Sequence, residues 1–140
     1  MASIRHRARE AALQSLYAAH VGGLDPADAV EVVFANESLD DAPEKLRLFA
    51  EELVAGVSQE ATALDAEISR AAEHWRIERL ATLDRLILRL GVWELRHSTD
   101  TPPAVVIDEA LELARTFSTD DSVRFVNGVL DAINRHVQRT

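Results

Sequence analysis

Basic side chains crowd the first ten residues of the chain, and their chemistry suits phosphate. Arg5, His6, Arg7 and Arg9 stand close together, and only Glu10 opposes them. Arginine offers planar, forked donors that match phosphate oxygens, and it can also stack on bases. On a helix, Arg5 and Arg9 share a face that suits two successive phosphates, or one phosphate and a base edge. The alternative is a frayed, solvated first turn.

A second concentration of polar groups occupies residues 118–122, where the sequence reads STDDS. Serine, threonine and aspartate accept hydrogen bonds from the free N–H groups at the start of a helix. Because apolar-faced segments flank this stretch, it predicts a polar corner between two helices. The same hydroxyls and carboxylates would be available to a ligand.

The histidines do not form a recognisable catalytic or metal site. They are scattered along the chain at His6, His20, His74, His97 and His136. No two of them have the four-residue spacing of a zinc-protease helix. Glu94 and His97 give one Glu-x-x-His step, whereas a di-iron bundle needs two such steps and two further glutamates. The sequence therefore predicts no metal.

The signatures of other enzymes are missing as well. The nearest carboxylate cluster, Asp108, Glu109 and Glu112, falls early in a predicted helix, where negative charge complements the helix dipole. The sequence has no glycine-rich phosphate loop, no Gly-x-Ser-x-Gly elbow and no cysteine. We therefore expect a protein that binds partners, without catalysis and without a cofactor.

Length, charge and hydropathy set wider bounds. A chain of 140 residues suits one domain, residues 1–140, with a core that needs no disulfides. The net charge of −9 argues against a protein that coats nucleic acid through its whole surface, but it permits a local basic site. No apolar run reaches membrane-spanning length, and no apolar signal segment follows the basic N-terminus. A cytoplasmic protein that does not contact a membrane is expected.

Apolar residues recur every three or four positions along the chain, which predicts an all-α fold of about seven helices. Ser3 caps the first helix, and Asp25-Pro26 begins the second in the usual order of cap and proline. Pro43 opens a third. A fourth helix follows, and the only helix-breaking residues before it are Gly56 and Ser58. Whether the third and fourth helices are separated there stays open.

The most apolar helix is predicted over residues 80–97. Its apolar residues point in several directions, so we expect a central helix that is buried on several sides. Gly91 would permit another helix to cross closely. Asp84 and Arg85 are then expected where water or a partner reaches them.

Two helices with an apolar period of three to four residues close the chain on either side of the polar corner. The pair Asn127-Gly128 often marks a hairpin turn, but the period continues through it to Val137, so we predict one helix. A glycine inside a helix costs about 1 kcal/mol relative to alanine, which indicates that Gly128 lets another group come close. Asn127 would bond a neighbouring helix or face a ligand.

These segments together resemble the NusB family of transcription antitermination factors. The matching residues form three blocks in chain order, 7–10 (RARE) with 16–17 (LY), 83–84 (LD) with 93–95 (WEL), and 105–110 (VVIDEA) with 125–130 (FVNGVL). Residues 22–43 carry no match. The resemblance implies a compact all-α bundle of two packed helical subdomains, which periodicity alone does not show.

The resemblance also implies a function. Members of the NusB family bind the boxA element of ribosomal RNA leader transcripts together with NusE, a small-subunit ribosomal protein. They load onto RNA polymerase with other Nus factors and help it read through terminators, and they occur as monomers and as homodimers. We expect the same here. The alternative is a NusB-like scaffold that binds proteins or ribosomal RNA without boxA specificity.

The resemblance assigns residues to two sites. For RNA it implies the N-terminal Arg5, His6, Arg7 and Arg9, together with Asp121, Ser122, Arg124 and Phe125 at the corner. For NusE it implies Tyr17 and Asp84, with Asp121 shared between the partners. Arg124 would contact phosphate. Phe125 would stack on an unpaired base or belong to the core, and both interpretations stay open.

Overall fold

The computed structural model describes residues 3–36, 39, 41–72 and 80–139. Within those ranges the chain forms six helices and no strand, so the predicted all-α class is confirmed. The helices are α1 (Ile4–Gly22), α2 (Pro26–Phe34), α3 (Glu44–Ala71), α4 (Thr82–His97), α5 (Pro103–Phe117) and α6 (Asp120–Arg139). None of these six combines the length and the apolar character that a membrane span requires.

The prediction of about seven helices is wrong for the described residues, because α3 replaces two of them. This helix runs through Gly56 without a break and is 28 residues long. Its buried residues keep one helical period on both sides of the glycine, with Leu53 before it and Val57, Leu64 and Ile68 after it. Burial of this continuous face outweighs the cost of about 1 kcal/mol for a glycine inside a helix.

Local chemistry sets the starts of the first two helices as predicted, and a glycine ends the first. Ser3 caps α1, because its hydroxyl accepts a hydrogen bond of 3.0 Å from the N–H of His6. The C-cap of α1 is Gly23, whose φ of 66° is a left-handed conformation that glycine adopts without strain. Asp25 then caps α2 by accepting a hydrogen bond of 2.9 Å from the N–H of Ala27.

The chain divides into two compact units, Met1–Gln59 and Glu60–Thr140. In the first unit α1 packs against α2. The buried apolar residues of this unit come from all three of its helical segments: Ala8, Ala11, Ala12, Leu13 and Leu16 of α1, Ala29, Val30 and Phe34 of α2, and Leu46, Ala50, Leu53, Val54 and Val57 of α3. The helix that carries the N-terminal arginines is therefore anchored in a core from Ala8 onward.

In the second unit α4 contacts both α5 and α6, which also contact each other. The buried apolar residues of α4 lie on several faces of the helix: Leu86, Ile87, Leu88, Leu90, Val92 and Trp93. The predicted central helix is therefore confirmed. His74, Trp75 and Ile77, which precede it in the sequence, lie outside the described residues.

The two helical glycines of the second unit differ in their surroundings. A Cβ atom placed on Gly91 would lie 2.9 Å from Cδ1 of Leu130, so the close approach between α4 and α6 predicted at Gly91 is confirmed. The close approach predicted at Gly128 is wrong. Gly128 is exposed, and a Cβ atom there would meet nothing within 4 Å. α6 continues through this glycine because Val126 and Leu130, on its other side, are fully buried.

Polar contacts join α3 to α4 within the second unit. Arg89 donates two hydrogen bonds of 2.7 Å to the carboxylate of Asp65, the bidentate geometry that arginine favours. Glu60 lies 2.9 Å from Nε2 of His97 and accepts a hydrogen bond of 3.1 Å from Nε1 of Trp93. The hydrogen bond with His97 lowers the pKa of Glu60 below its ordinary value; desolvation opposes this shift, and the bond from Trp93 adds to it.

Glu60 is therefore expected to stabilise the fold at neutral pH and to lose that contribution in acid. Because its pKa is lower in the folded than in the unfolded chain, the contribution is complete above the ordinary value of 4.5 and disappears as the pH falls through the folded value. Melting temperatures of the wild type and of Glu60→Gln, measured from about pH 7 to about pH 3, should converge as the pH falls. A difference that stays constant over this range would contradict the expectation.

Candidate functional site

The start of α1 carries an unusual arrangement of charge. Arg5, His6 and Arg7 lie in its first turn, and no acidic residue accompanies them there. Cations are unfavourable at a helix N-terminus, where the helix dipole and the free N–H groups favour anions. The turn is nevertheless formed and capped by Ser3, so a frayed start is not observed. A bound anion such as phosphate would meet both the N–H groups and the basic side chains.

Arg5 and Arg9 share a face of α1, as predicted, but that face meets an aromatic ring. The Cζ atoms of Arg5 and Arg9 lie 4.4 Å and 5.3 Å from the ring centroid of Phe49 on α3. Arg5 is exposed, whereas only 3% of Arg9 is accessible to solvent. The expected exposed pair for two successive phosphates is therefore wrong for Arg9, because its side chain is enclosed in the first unit.

The two basic residues between Arg5 and Arg9 are accessible in part. His6 is half-buried, and its Nε2 atom lies 3.6 Å from a carboxylate oxygen of Glu10 one turn later. Arg7 is also half-buried. Direct contact with phosphate thus stays a prediction for Arg5, His6 and Arg7.

Further along α1, the structure exposes apolar surface at the predicted partner site. Tyr17 is 41% exposed and Val21, one turn later on the same face, is 63% exposed. A tyrosine with an exposed ring and hydroxyl is a frequent anchor in protein interfaces. The family resemblance implied Tyr17 but not Val21, although the four-residue spacing between them is visible in the sequence.

The polar corner between α5 and α6 is a hydrogen-bond cluster around the buried carboxylate of Asp84 of α4. The hydroxyl of Ser118 donates a hydrogen bond of 2.7 Å to Oδ1 of Asp84, and the hydroxyl of Ser122 donates one of 2.7 Å to Oδ2. Thr119 caps α6 by accepting a hydrogen bond of 3.2 Å from the N–H of Ser122, and its hydroxyl lies 3.0 Å from that of Ser122. The cluster fastens the start of α6 to the first turn of α4.

This geometry corrects the expectation for Asp84. The residue is 8% exposed, so it does not lie where water or a partner reaches it freely. Burial of a carboxylate is costly unless hydrogen bonds satisfy it, and the two serine hydroxyls do so. Asp84 also lies in the first turn of α4, where the helix dipole favours negative charge. Ser122, a predicted RNA contact, is likewise buried in the cluster.

The remaining predicted residues of the corner lie on the first turns of α6. Asp121 and Arg124 are exposed and form an ion pair with each other. Phe125 is half-buried and Asn127 is exposed. The predicted RNA residues thus fall in two groups, one at the start of α1 in the first unit and one at the start of α6 in the second.

Comparisons with known proteins place the chain in a family. The family model described as the NusB family matches residues 6–135. The transcription antitermination protein NusB of Sorangium cellulosum is 45% identical over 135 residues, which cover 96% of this chain and 94% of the relative. Among solved structures, T. maritima NusB is similar with a TM-score of 0.86 and 33% identity, over 96% of this chain and 93% of that chain.

A second solved structure bears on partners. It is a chain in the crystal structure of antitermination factors NusB and NusE in complex with dsRNA, with a TM-score of 0.85 and 29% identity. The likeness covers 97% of this chain and 99% of that chain. Since the family model spans most of the sequence and relatives match at this level of identity, the chain belongs to the NusB family.

Proposed function

We propose that this protein is a transcription antitermination factor that binds the boxA element of ribosomal RNA leader transcripts together with NusE and promotes read-through by RNA polymerase. The observation that carries the proposal is the likeness, over 97% of this chain, to a chain of the complex of NusB and NusE with dsRNA. Because the likeness extends over both units, it supports the same two partners here.

The start of α1 supports one RNA contact. Arg5 and Arg7 add positive side chains, and His6 adds an imidazole, to a helix N-terminus that already favours an anion. The repulsion between these side chains and the helix dipole would be relieved by a phosphate. The second RNA contact is proposed at the start of α6, where Arg124 would meet phosphate and Phe125 would stack on an unpaired base.

The NusE contact is proposed at Tyr17 and Asp121, which are both exposed. The exposed Val21 extends the apolar surface of Tyr17 by one helical turn. Asp84, which the resemblance implies as a third contact, would act indirectly. By holding Ser122 it fixes the helical turn that presents Asp121.

Recognition is the whole of the proposed mechanism, so no bond is made or broken and no cofactor is required. With NusE and other Nus factors the protein would load onto RNA polymerase in the cytoplasm. We propose that residues 1–140 act as one RNA-binding domain. Monomer and homodimer are the two states to distinguish, because a dimer that buried the arginines of α1 would compete with RNA.

Titration with a leader RNA tests the proposal. A labelled RNA that contains boxA, and a shuffled RNA of equal length, are titrated with the protein at physiological salt, with and without NusE. We expect tighter binding of the boxA RNA, and a larger difference when NusE is present. Arg7→Ala should weaken boxA binding by about tenfold, since a charge-assisted hydrogen bond to phosphate is lost.

Arg115→Ala is the matched control. Arg115 is an exposed arginine of α5 that pairs with Glu112, so its replacement removes the same charge outside the proposed RNA contacts. It should change the affinity by less than about twofold. Equal, weak binding of both RNAs under all conditions would contradict the proposal and favour a NusB-like scaffold without boxA specificity.

A further inference from the structure

We propose that Phe49 positions Arg5 for its contact with RNA, and that Arg9 supports the same ring from within the first unit without reaching the RNA. The inference rests on the proposed function, because it concerns how one arginine of the RNA contact is held. By its spacing in α3, Phe49 resembles one more core residue, so the sequence pattern does not distinguish it.

The contact consists of two arginines near one aromatic ring. The Cζ atom of Arg5 lies 4.4 Å from the ring centroid of Phe49, and that of Arg9 lies 5.3 Å from it. Both distances are within the range of about 6 Å in which a guanidinium and an aromatic face attract each other. Because the two arginines are one turn apart on α1, both approach α3 from the same face.

The two arginines differ in their exposure to solvent. Arg9 is 3% exposed and Arg5 is exposed, so only Arg5 can meet a phosphate without first leaving its position. A cation–π contact uses the face of the guanidinium, whereas phosphate binds the N–H donors at its edge. The contact with Phe49 and a contact with phosphate are therefore compatible on one side chain.

Holding Arg5 before RNA arrives has a consequence for affinity. A freely rotating arginine loses conformational entropy when a phosphate orders it, and that loss weakens binding. If the ring of Phe49 restricts the side chain beforehand, less entropy is lost on binding. Phe49 is then a positioning residue, which strengthens the RNA contact without touching the RNA.

A double-mutant cycle on the full chain tests this role. The affinity for boxA RNA is measured for the wild type, Phe49→Leu, Arg5→Ala and the double variant at several salt concentrations. Phe49→Leu should weaken binding by about two- to fivefold, and it should leave the slope of log affinity against log salt unchanged. Arg5→Ala should reduce the magnitude of that slope by about 0.7, the value for one phosphate contact on a single strand.

The double variant decides between positioning and direct contact. If Phe49 acts through Arg5, the double variant binds no more weakly than Arg5→Ala. If Phe49 stacks on a base, its loss weakens the Arg5→Ala protein as much as the wild type, which overturns the inference. Unchanged affinity of Phe49→Leu overturns it as well. If the wild type does not prefer boxA RNA over the shuffled RNA, the proposed function itself is overturned, and the inference about Phe49 with it.

Two further variants separate binding from folding. Phe49→Tyr keeps the aromatic face and should retain wild-type affinity. Phe34→Leu is the matched control, because Phe34 also lies under an arginine, with Cζ of Arg47 at 5.2 Å from its ring, but lies outside the proposed RNA contacts. The folded Phe34→Leu protein should bind boxA RNA with the affinity of the wild type. A loss of affinity equal to that of Phe49→Leu would overturn the inference.

A measurement on the free protein addresses the contact itself. The ring current of Phe49 should shift the Nε–Hε resonance of Arg5 upfield in the NMR spectrum. The shift should persist in Phe49→Tyr and disappear in Phe49→Leu. An Arg5 resonance at the position of a solvated arginine in the wild type would overturn the inference, whatever the affinities are.

Discussion

Asp84→Ala is expected to lower the free energy of unfolding by about 3 kcal/mol, because it removes two hydrogen bonds to a charged group and leaves two hydroxyls without their acceptor. Both bonds, from Ser118 and from Ser122, are 2.7 Å long. Asp84 and Ser122 are buried and Ser118 is half-buried. Urea unfolding followed by circular dichroism measures the change. The slope of the transition should stay the same, since a similar surface is exposed on unfolding.

Two comparisons make this expectation specific. Asp108→Ala removes an exposed carboxylate from α5 and should change the stability by less than about 0.5 kcal/mol. Ser122→Ala should destabilise less than Asp84→Ala, and the double variant should lose less than the sum of both, because the two residues share one interaction. If Asp84→Ala behaves like Asp108→Ala, the cluster does not hold the corner together.

The second large effect is expected at the crossing of α4 and α6. Gly91→Val should destabilise the protein by about 2 kcal/mol, the range for overpacking of a filled core. Even the first added carbon would lie 2.9 Å and 3.0 Å from the two terminal carbons of Leu130. Leu130 has no accessible surface, so it can only move by displacing its own neighbours. Thermal and urea unfolding measure the loss.

Gly128→Ala is the matched control for this substitution. It changes a glycine of α6 that is exposed and has no atom within 4 Å of the added carbon. Since alanine is the better helix former, this variant should be about 1 kcal/mol more stable than the wild type. Leu130→Ala in the Gly91→Val background should recover part of the loss. A stabilising effect of Gly91→Val would show that the crossing has room.

Helix ends and buried faces are predictable from this sequence because they depend on near neighbours. Ser3 and Asp25 each accept a hydrogen bond from an N–H group two or three residues later, and Gly23 ends α1 through its own backbone freedom. The buried face of each helix follows from the spacing of its apolar residues. The sequence left open whether the helix breaks near Gly56, and α3 continues through it. Burial of apolar residues on both sides of Gly56 stabilises the helix by more than one glycine costs.

The partners of polar side chains are not predictable in the same way. Periodicity predicts which face of the helix carries a side chain, but it does not predict which groups of other helices that side chain contacts. An aspartate at the start of an apolar helix, as at Asp84, therefore looks solvated. Arg9 looks equally available to phosphate until the position of Phe49 on α3 is known. Acidic and hydroxyl groups at two separate helix starts are the only sequence signal that points to the cluster at Asp84.

The cluster around Asp84 also bears on the order in which the second unit is completed. Asp84 precedes Ser118 by 34 residues and Ser122 by 38, so its carboxylate lacks the full pair of hydroxyl partners until both serines have left the ribosome. Contacts this distant in sequence require a long loop to close, and they form late compared with helical turns. We therefore expect the corner proposed to meet NusE and RNA to be among the last parts of the nascent chain to take its final form.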